Sequence, residues 1–260
     1  MRTSAEYFVD DPPPDDALYL SEFARSAFDY LLLTYSGPLL AALPRGDRHS
    51  VLVLPALHTT DASTQILRTV LKFLGYRTYG WRLGLNVGPT SKAVHGMRTR
   101  LAYLADRYQR PVSLIGCSLG GIFARRLARQ TPELVRQVIT LGSPIRLARH
   151  SQSRAAPVFH LYAHRHVEPL DLPLEHGAGP LPVPATSIYT PFDGIVAWRT
   201  CLDVPSTRAE NIGVLGSHFG IAHHPATLWA VADRLAQPAG TWAPFQPPSL
   251  LRAAYLTSGS

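Results

Sequence analysis

Short, wholly apolar runs alternate with longer amphipathic stretches along most of this chain. Residues 51–54 (VLVL) and 112–116 (VSLIG) are only a few positions long and are rich in branched apolar side chains. Such runs are typical of strands that are covered on both faces. The same reasoning predicts strands at 76–81, 135–143, 185–190 and 211–216.

The stretches between these runs have the spacing of helices. In 63–76, for example, Ile66, Val70 and Leu74 recur every four residues, and Gly75 follows them as a stop signal. Strands that alternate with helices predict an α/β protein with a doubly wound, mostly parallel sheet and helices on both faces. The predicted helices are 19–33 with Ser21 as N-cap, 63–76 with Asp61 or Ser63 as cap, 91–110, 119–130 and 224–238.

Residues 144–183 interrupt this alternation with a stretch rich in Pro, His and Arg. A connection of this length predicts a small cap or lid over a site. The first 17 residues, which include DDPPPDD, predict an extended or disordered start that buries no area. The predicted organisation is an N-terminal extension with a helix (1–44), a core (45–143 and 184–240), the cap-like insertion (144–183) and a C-terminal tail (241–260).

Composition narrows the class of protein. The chain has 260 residues, of which 46% are hydrophobic and 17% charged, and this suits one large globular domain.

The net charge of +7 comes mainly from scattered Arg residues, which does not favour nucleic-acid binding. The most apolar stretch, 27–43, contains Asp29, Gly37 and Pro38, so no integral membrane segment is expected. The acidic, Pro-rich start lacks the layout of a leader peptide, which favours a cytoplasmic location.

One serine stands in a glycine-rich junction between a predicted strand and a predicted helix. Gly116, Ser118 and Gly120 form the pattern G-x-S-x-G. The glycines remove side chains that would crowd a sharp turn, and the turn leaves the serine hydroxyl at the carboxyl end of the sheet, where such folds bind ligands. A glycine-rich turn with an idle serine is the alternative. Cys117 is disfavoured as the nucleophile because glycines would then be needed at 115 and 119; it is expected in the core.

Two later residues complete a candidate catalytic set. A serine needs a base, and the base needs an orienting acid. Asp193 follows the strand predicted at 185–190, and His218 follows the next one. A turn-forming role for Asp193 and a loop or cap role for His218 are the alternatives. Weaker candidates for the acid are Asp203 and Asp171, and the histidines expected in surface or packing roles are His49, His95, His164, His166, His223 and His224.

An oxyanion hole requires two backbone donors near the serine. The N–H of Leu119 is the first candidate because it follows the serine directly. The second is the N–H of Leu57, in the loop after the strand at 51–54, and the neighbouring His58 is a candidate for contact with substrate.

The motifs VLVLPALHTTD, LIGCSLGGIFARRLA, VITLGSP, SIYTPFDGIV and GSHFGIAHHP resemble the α/β-hydrolase superfamily over residues 45–240. The likeness is to small bacterial lipase and esterase-like members. It implies a triad of Ser118, Asp193 and His218 and catalysis through an acyl-enzyme. One departure is Pro55-Ala56, where many relatives carry His-Gly or Pro-Gly.

The leading hypothesis is a hydrolase of carboxylic esters whose partner is a small acyl substrate. The alternatives are a thioesterase, an amidase or an acyltransferase with the same triad, or a binding protein on a hydrolase fold. The mechanism needs no cofactor, and no spacing of Cys or His indicates a metal site.

Overall fold

A computed structural model of the chain describes residues 11–168, 170, 174–175, 179–204 and 206–256. Its centre is a seven-stranded sheet in the order β2-β1-β3-β4-β5-β6-β7. The first six strands are parallel, and β7 is antiparallel to β6 at one edge. The strands are β1 Ser50–Leu54, β2 Arg77–Gly80, β3 Val112–Cys117, β4 Val135–Leu141, β5 Ala185–Tyr189, β6 Ala209–Val214 and β7 Tyr255–Leu256.

Helices cover both faces of this sheet. They are α1 Asp16–Thr34, α2 Gly37–Ala41, α3 Gln65–Phe73, α4 Ser91–Tyr108, α5 Leu119–Gln130, α6 Ala156–Leu161 and α7 Pro225–Ala236. In β1, Val51 and Val53 pack into a core cluster with α3 and α7, whereas Leu52 and Leu54 pack into a second cluster with α4 and α5. Because alternate side chains of a strand point to opposite faces, a strand between two helix layers must be apolar throughout. The predicted α/β fold class is therefore confirmed.

The start of α1 differs from the prediction. The helix begins at Asp16 instead of residue 19, and its N-cap is Asp15, whose carboxylate accepts a hydrogen bond from the N–H of Ala17. Ser21 lies inside the helix, where its hydroxyl donates to the Ala17 carbonyl. The prolines end immediately before Asp15, so they do not interrupt the helix.

The segment 11–14 has no helix or strand, but the prediction that this region buries no area is wrong for Asp11. That residue is only 7% exposed. Its carboxylate accepts a hydrogen bond from Arg199 at 2.7 Å, and its carbonyl accepts one from Gln152 at 3.0 Å. These contacts compensate for the loss of hydration and tie the segment to the domain.

Two further regions contain elements that the sequence pattern did not predict. Within 144–183 lie α6 and two 3₁₀ turns, His150–Gln152 and Ala163–Arg165. The region after α7 supplies the 3₁₀ helix Ser249–Ala254 and the edge strand β7. Within the described residues, no helix combines the length and the apolar character needed to cross a bilayer.

Candidate active site

Ser118 lies at the sharp turn between β3 and α5. Its backbone has φ 48° and ψ −119°, a strained conformation for a residue with a side chain. The N–H of Ser118 donates to the carbonyl of Leu141, the last residue of β4, at 2.8 Å. The side chain is half-buried and lines a pocket. This is the strand-turn-helix setting in which a G-x-S-x-G serine is presented above a sheet.

The glycines of the motif are required by contact with backbone. A Cβ at Gly116 would lie 2.3 Å from the backbone of Gly120 and Gly121, and a Cβ at Gly120 would lie 2.4 Å from the Leu54 carbonyl oxygen. Backbone cannot move away as a flexible side chain can, so these positions exclude every larger residue. The predicted crowding of the turn is confirmed for Gly116, whereas Gly120 permits the close approach of α5 to the end of β1.

Asp193 and His218 are brought together from loops that follow β5 and β6. His218 Nδ1 lies 2.6 Å from Asp193 Oδ2, and both side chains are buried. The other oxygen of Asp193 accepts hydrogen bonds from the N–H groups of Ile195 and Val196, each at 2.8 Å. With its oxygens held in this way, the carboxylate fixes the orientation of the imidazole and leaves Nε2 as the ring nitrogen not bonded to it.

The carboxyl end of β4 lies beside both parts of the site. Leu141 accepts the hydrogen bond from Ser118 N–H, and the next residue is Gly142. A Cβ on Gly142 would lie 3.2 Å from His218 Nδ1 and 3.6 Å from Asp193 Oδ2. The serine turn and the acid–base pair therefore meet at one edge of the sheet.

Nearby carboxylates change the pKa of His218. Burial of the ring lowers its pKa, but the charge of Asp193, the hydrogen bond to Asp193 and the charge of Glu22 raise it by more. The net result is a pKa above the usual value of 6.5. A buried imidazole beside carboxylates can accept a proton because they stabilise the resulting cation.

Ser118 opens into a pocket whose wall is mostly apolar. Its volume is about 550 Å³, counting the part open to solvent. Most of the lining belongs to residues 144–183, and the polar side chains besides Ser118 are His150 and Ser153. The apolar lining includes Leu57, Leu119, Ile122, Leu147, Phe159 and Leu174.

The two predicted oxyanion residues, Leu57 and Leu119, line this pocket beside Ser118. Leu119 is the first residue of α5, so its N–H has no partner within the helix. His58 has φ 56°, and its N–H donates to the Asn86 carbonyl at 2.7 Å, which removes that group as an oxyanion donor. Ala56, the departure from Gly, is half-buried and packs against the core.

Asn86 holds the loop that carries Leu57. This residue is fully buried; its side-chain amide donates to the Pro55 carbonyl at 2.8 Å and its side-chain oxygen accepts from Gly88 N–H at 3.1 Å. Sequence reasoning did not find this role, since an isolated Asn in a predicted loop has the same appearance as a turn residue.

Replacing Asn86 by Ala is expected to lower the free energy of unfolding by about 1–3 kcal/mol, because the Pro55 carbonyl and the Gly88 N–H would be left buried without a partner. Urea denaturation measures this loss. The control is Gln65→Ala, at an exposed position, which should change the free energy of unfolding by less than about 0.5 kcal/mol. Asn211 is not used as the control, because it has a structural role of its own in binding the backbone of Asp203. Equal stability of the Asn86 variant and the wild type would contradict the supporting role.

The predicted substrate contact, His58, lies at the surface, where its ring stacks on Tyr162 with 6.0 Å between centroids. Tyr162 belongs to the 144–183 region, so His58 joins the oxyanion loop to that region. Contact of His58 with substrate stays a prediction.

The alternative nucleophile and acids have other surroundings. Cys117 packs in the core, and burial raises the pKa of its thiol to about 12. Asp203 is buried and binds Arg125 of α5 with a contact of 2.5 Å. Asp171 lies outside the described residues.

Four of the histidines expected in surface or packing roles have structural contacts, and a fifth, His164, is exposed. His224 caps α7, His166 bonds to the Val87 carbonyl, and His95 bonds within the first turn of α4. His223 lies 3.4 Å from the Ser26 carbonyl, and His164 is exposed in a 3₁₀ turn.

A hydrogen-bonded serine–histidine–aspartate chain that was not predicted lies near the amino end of β3. His49 Nδ1 contacts Asp47, and His49 Nε2 lies 2.9 Å from the hydroxyl of Ser113. Ser113 is fully buried within the sheet, so a substrate cannot reach its hydroxyl. Burial lowers the pKa of His49 to about 4, although the hydrogen bond to Asp47 acts in the opposite direction. Ser113 has neither the pocket nor the strained turn that Ser118 has, so hydrogen bonding to a histidine does not by itself make it a candidate nucleophile.

Comparison with known structures identifies the class of fold. Aspergillus fumigatus lipase B aligns with 76% of this chain at 15% identity and a TM-score of 0.59, but the match spans 55% of that chain. The mature form of Bacillus licheniformis lipase BlEst2 aligns with 75% of this chain at 14% identity and a TM-score of 0.55, over 94% of its own length. A soluble variant of Saccharomyces cerevisiae monoglyceride lipase gives 14% identity and a TM-score of 0.55, with 76% of this chain and 91% of that one covered.

No protein-family profile matches the chain. No curated protein sequence matches it significantly either. The protein has the α/β-hydrolase fold, as its sheet order and structural neighbours show.

Proposed function

We propose that this protein is a serine hydrolase that cleaves carboxylic esters through an acyl-enzyme on Ser118. The observation that carries the proposal is the buried Asp193–His218 pair, with 2.6 Å between Oδ2 and Nδ1, at the same sheet edge as a strained serine turn. The accessible pocket beside Ser118 supports it, and the lipases with the same fold agree with it.

In this mechanism His218 Nε2 takes the proton of the Ser118 hydroxyl as its oxygen attacks the ester carbonyl. The N–H groups of Leu57 and Leu119 stabilise the oxyanion. When the tetrahedral intermediate collapses, the bond to the alkoxy oxygen breaks and His218 returns the proton to the departing alcohol. Water, deprotonated by His218, then attacks the acyl-enzyme, and Ser118 leaves with the proton as the acid is released.

The lining of the pocket indicates the type of acyl group. Its walls are mostly aliphatic and aromatic, and a polar or charged chain would lose hydration there with only His150 and Ser153 as polar neighbours besides Ser118. An apolar acyl chain gains free energy from the same burial, about 0.8 kcal/mol for each fully buried methylene. We therefore propose an ester with an apolar acyl group as the substrate class.

A series of aryl esters tests this proposal. We expect kcat/KM for the octanoyl ester to exceed that for the acetyl ester by about tenfold or more, because even partial burial of the additional methylenes contributes more than 1.4 kcal/mol. Phe159→Asn should reduce this preference because Phe159 lines the pocket. Leu161→Asn is the matched control in the same helix α6, since Leu161 is 67% exposed.

Acyl thioesters and anilides with the same acyl groups complete the series. Higher kcat/KM on thioesters or anilides than on esters would support the thioesterase or amidase alternative. Transfer of the acyl group to an added alcohol or amine in preference to water would support an acyltransferase. Absence of turnover together with measurable ligand binding would support a binding protein.

A further inference from the structure

Helix α1 exposes large apolar side chains and buries two carboxylates, which is the opposite of an ordinary surface helix. Leu20 and Phe23 are 79% and 78% exposed, whereas Glu22 and Asp29 are only 1% and 3% exposed. Glu22 and Asp29 are seven residues apart, which places them on one face two turns apart. Burial of a carboxylate is unfavourable unless specific partners compensate for the lost hydration. The contacts of these two acids therefore explain how the helix is held.

Glu22 bonds to both loops that carry the acid–base pair. One carboxylate oxygen accepts from the N–H of Gly194 at 3.1 Å, and the other accepts from the N–H of Phe219 at 3.0 Å. Gly194 directly follows Asp193, and Phe219 directly follows His218. Arg25, one turn further along α1, holds the carboxylate with a contact of 2.5 Å. Glu22 thus connects the two loops at the residues next to the proposed acid and base.

Asp29 binds on the other side of His218. Its Oδ2 accepts from the N–H of Ser217 at 2.9 Å and from the Ser217 hydroxyl at 2.6 Å. The Ser217 hydroxyl in turn accepts from the N–H of Gly220 at 2.9 Å. The residues immediately before and after His218 are therefore both held by α1.

Two glycines permit this close approach. A Cβ at Gly194 would lie 2.8 Å from a Glu22 carboxylate oxygen and 2.5 Å from the Leu18 carbonyl oxygen. A Cβ at Gly220 would lie 2.0 Å from Asp29 Oδ2. Gly194 and Gly220, which follow Asp193 and His218 in the sequence, thus leave the space that α1 occupies.

We propose that Glu22 and Asp29 are positioning residues through which α1 fixes the relative placement of Asp193 and His218. This inference rests on the proposed function, because it assigns to α1 the geometry of the proposed acid–base pair. A signal in the sequence could have found it: two acids seven residues apart, and so on one face, in a predicted helix whose large side chains are mostly apolar.

The charges around His218 provide a readout that simple loss of packing does not change. Asp193 faces the ring from the loop after β5, and Glu22 acts on it from α1, where Arg25 contacts the Glu22 carboxylate. Asp29 lies beside Ser217, and His224 lies further along the loop of His218. Among these, the charge of Glu22 acts to raise the pKa of His218, in the same direction as Asp193.

The test compares Glu22→Gln, Glu22→Asp and Asp29→Ala with the wild type, using the pH dependence of ester hydrolysis. Gln removes the charge and places an NH2 donor against a backbone N–H donor. We expect kcat to fall about tenfold or more and KM to change less than about twofold, because loop placement affects the reacting groups more than the acyl pocket. The acid limb of kcat/KM should move to lower pH by about half a unit or more.

The other two variants separate the contributions of charge and geometry. Glu22→Asp keeps the charge but shortens the side chain, so kcat should fall while the acid limb stays within about 0.3 pH units of the wild type. Asp29→Ala should also lower kcat, since Ser217 loses both hydrogen bonds to α1. The control is Asp16→Asn, which removes a charge from the exposed start of the same helix and should leave both readouts unchanged.

Near-UV circular dichroism establishes that each variant is folded. A folded Glu22→Gln variant with the wild-type kcat and acid limb would overturn the proposal. Should Glu22→Gln fail to fold, Glu22→Asp decides: wild-type kcat overturns the proposal, and reduced kcat with an unmoved acid limb supports it.

Failure of this inference can be told apart from failure of the proposed function. Amide hydrogen exchange in residues 190–196 and 215–220 reports loop order whether or not the protein hydrolyses esters. Faster exchange in Glu22→Gln supports the positioning role even if no ester is turned over, whereas an active wild type with unchanged exchange and kinetics in the variant refutes the positioning role alone.

Discussion

Ser118→Ala is expected to abolish labelling by a fluorophosphonate probe and to lower ester kcat/KM by about 10⁴-fold or more. The probe forms a covalent bond to an activated serine oxygen, and Ala has no oxygen to supply. The fold should survive, because Ser118 is half-buried and the change removes only one oxygen. Mass spectrometry of the labelled wild type locates the adduct, and initial rates on an aryl ester measure the loss.

Ser113→Ala is the matched control for this experiment. Ser113 is hydrogen-bonded to a histidine that contacts an aspartate, but it is fully buried in β3. Its removal should leave labelling and kcat/KM within about twofold of the wild type and cost about 1 kcal/mol of stability. Labelling that persists in Ser118→Ala would refute the nucleophile assignment, and loss of labelling in a folded Ser113→Ala variant would do the same.

His218→Ala and Asp193→Asn form the second prediction, each with a loss of about 10³- to 10⁴-fold in kcat/KM. Without His218 the serine hydroxyl has no base. In Asp193→Asn the amide oxygen can still accept from the Ile195 and Val196 N–H groups, which leaves its NH2 facing His218 Nδ1. Nδ1 must then act as acceptor, so the proton moves to Nε2 and the ring can no longer receive one from Ser118. Initial rates on folded protein, confirmed by circular dichroism, measure both effects.

Asp203→Asn separates an effect on chemistry from an effect on stability. Asp203 binds the buried Arg125, so its neutralisation leaves a buried cation with less compensation. Arg125 keeps its two hydrogen bonds to Glu175, so we expect a loss of about 1–3 kcal/mol in the free energy of unfolding, with kcat of the folded protein near the wild-type value. If Asp203→Asn lost activity without loss of stability, and Asp193→Asn stayed active, the acid would be Asp203.

Features that depend on residues close together in the chain, or on the order of motifs along it, could be predicted from the sequence alone. The apolar run in β1 predicted a strand with helices on both faces because adjacent side chains of a strand point in opposite directions. Gly116 predicted a tight turn at Ser118, because the backbone that excludes a Cβ there belongs to Gly120 and Gly121 of the same turn; at Gly120 the excluding contact comes from Leu54 of β1 instead. The chain order of Ser118, Asp193 and His218 indicated that loops at one sheet edge carry them, since the strands are parallel.

Contacts between side chains that are far apart in the sequence became visible only in the three-dimensional structure. The chain Asp47–His49–Ser113 has the composition of a triad, and only its burial shows that substrate cannot reach it. The edge strand β7 consists of two residues, too few to show a period of alternation. Glu22 meets Gly194 across 172 positions of sequence. A local sequence pattern cannot predict this contact, because the contact depends on how α1 packs over the ends of β5 and β6. The burial of Glu22 and Asp29 follows from the same packing.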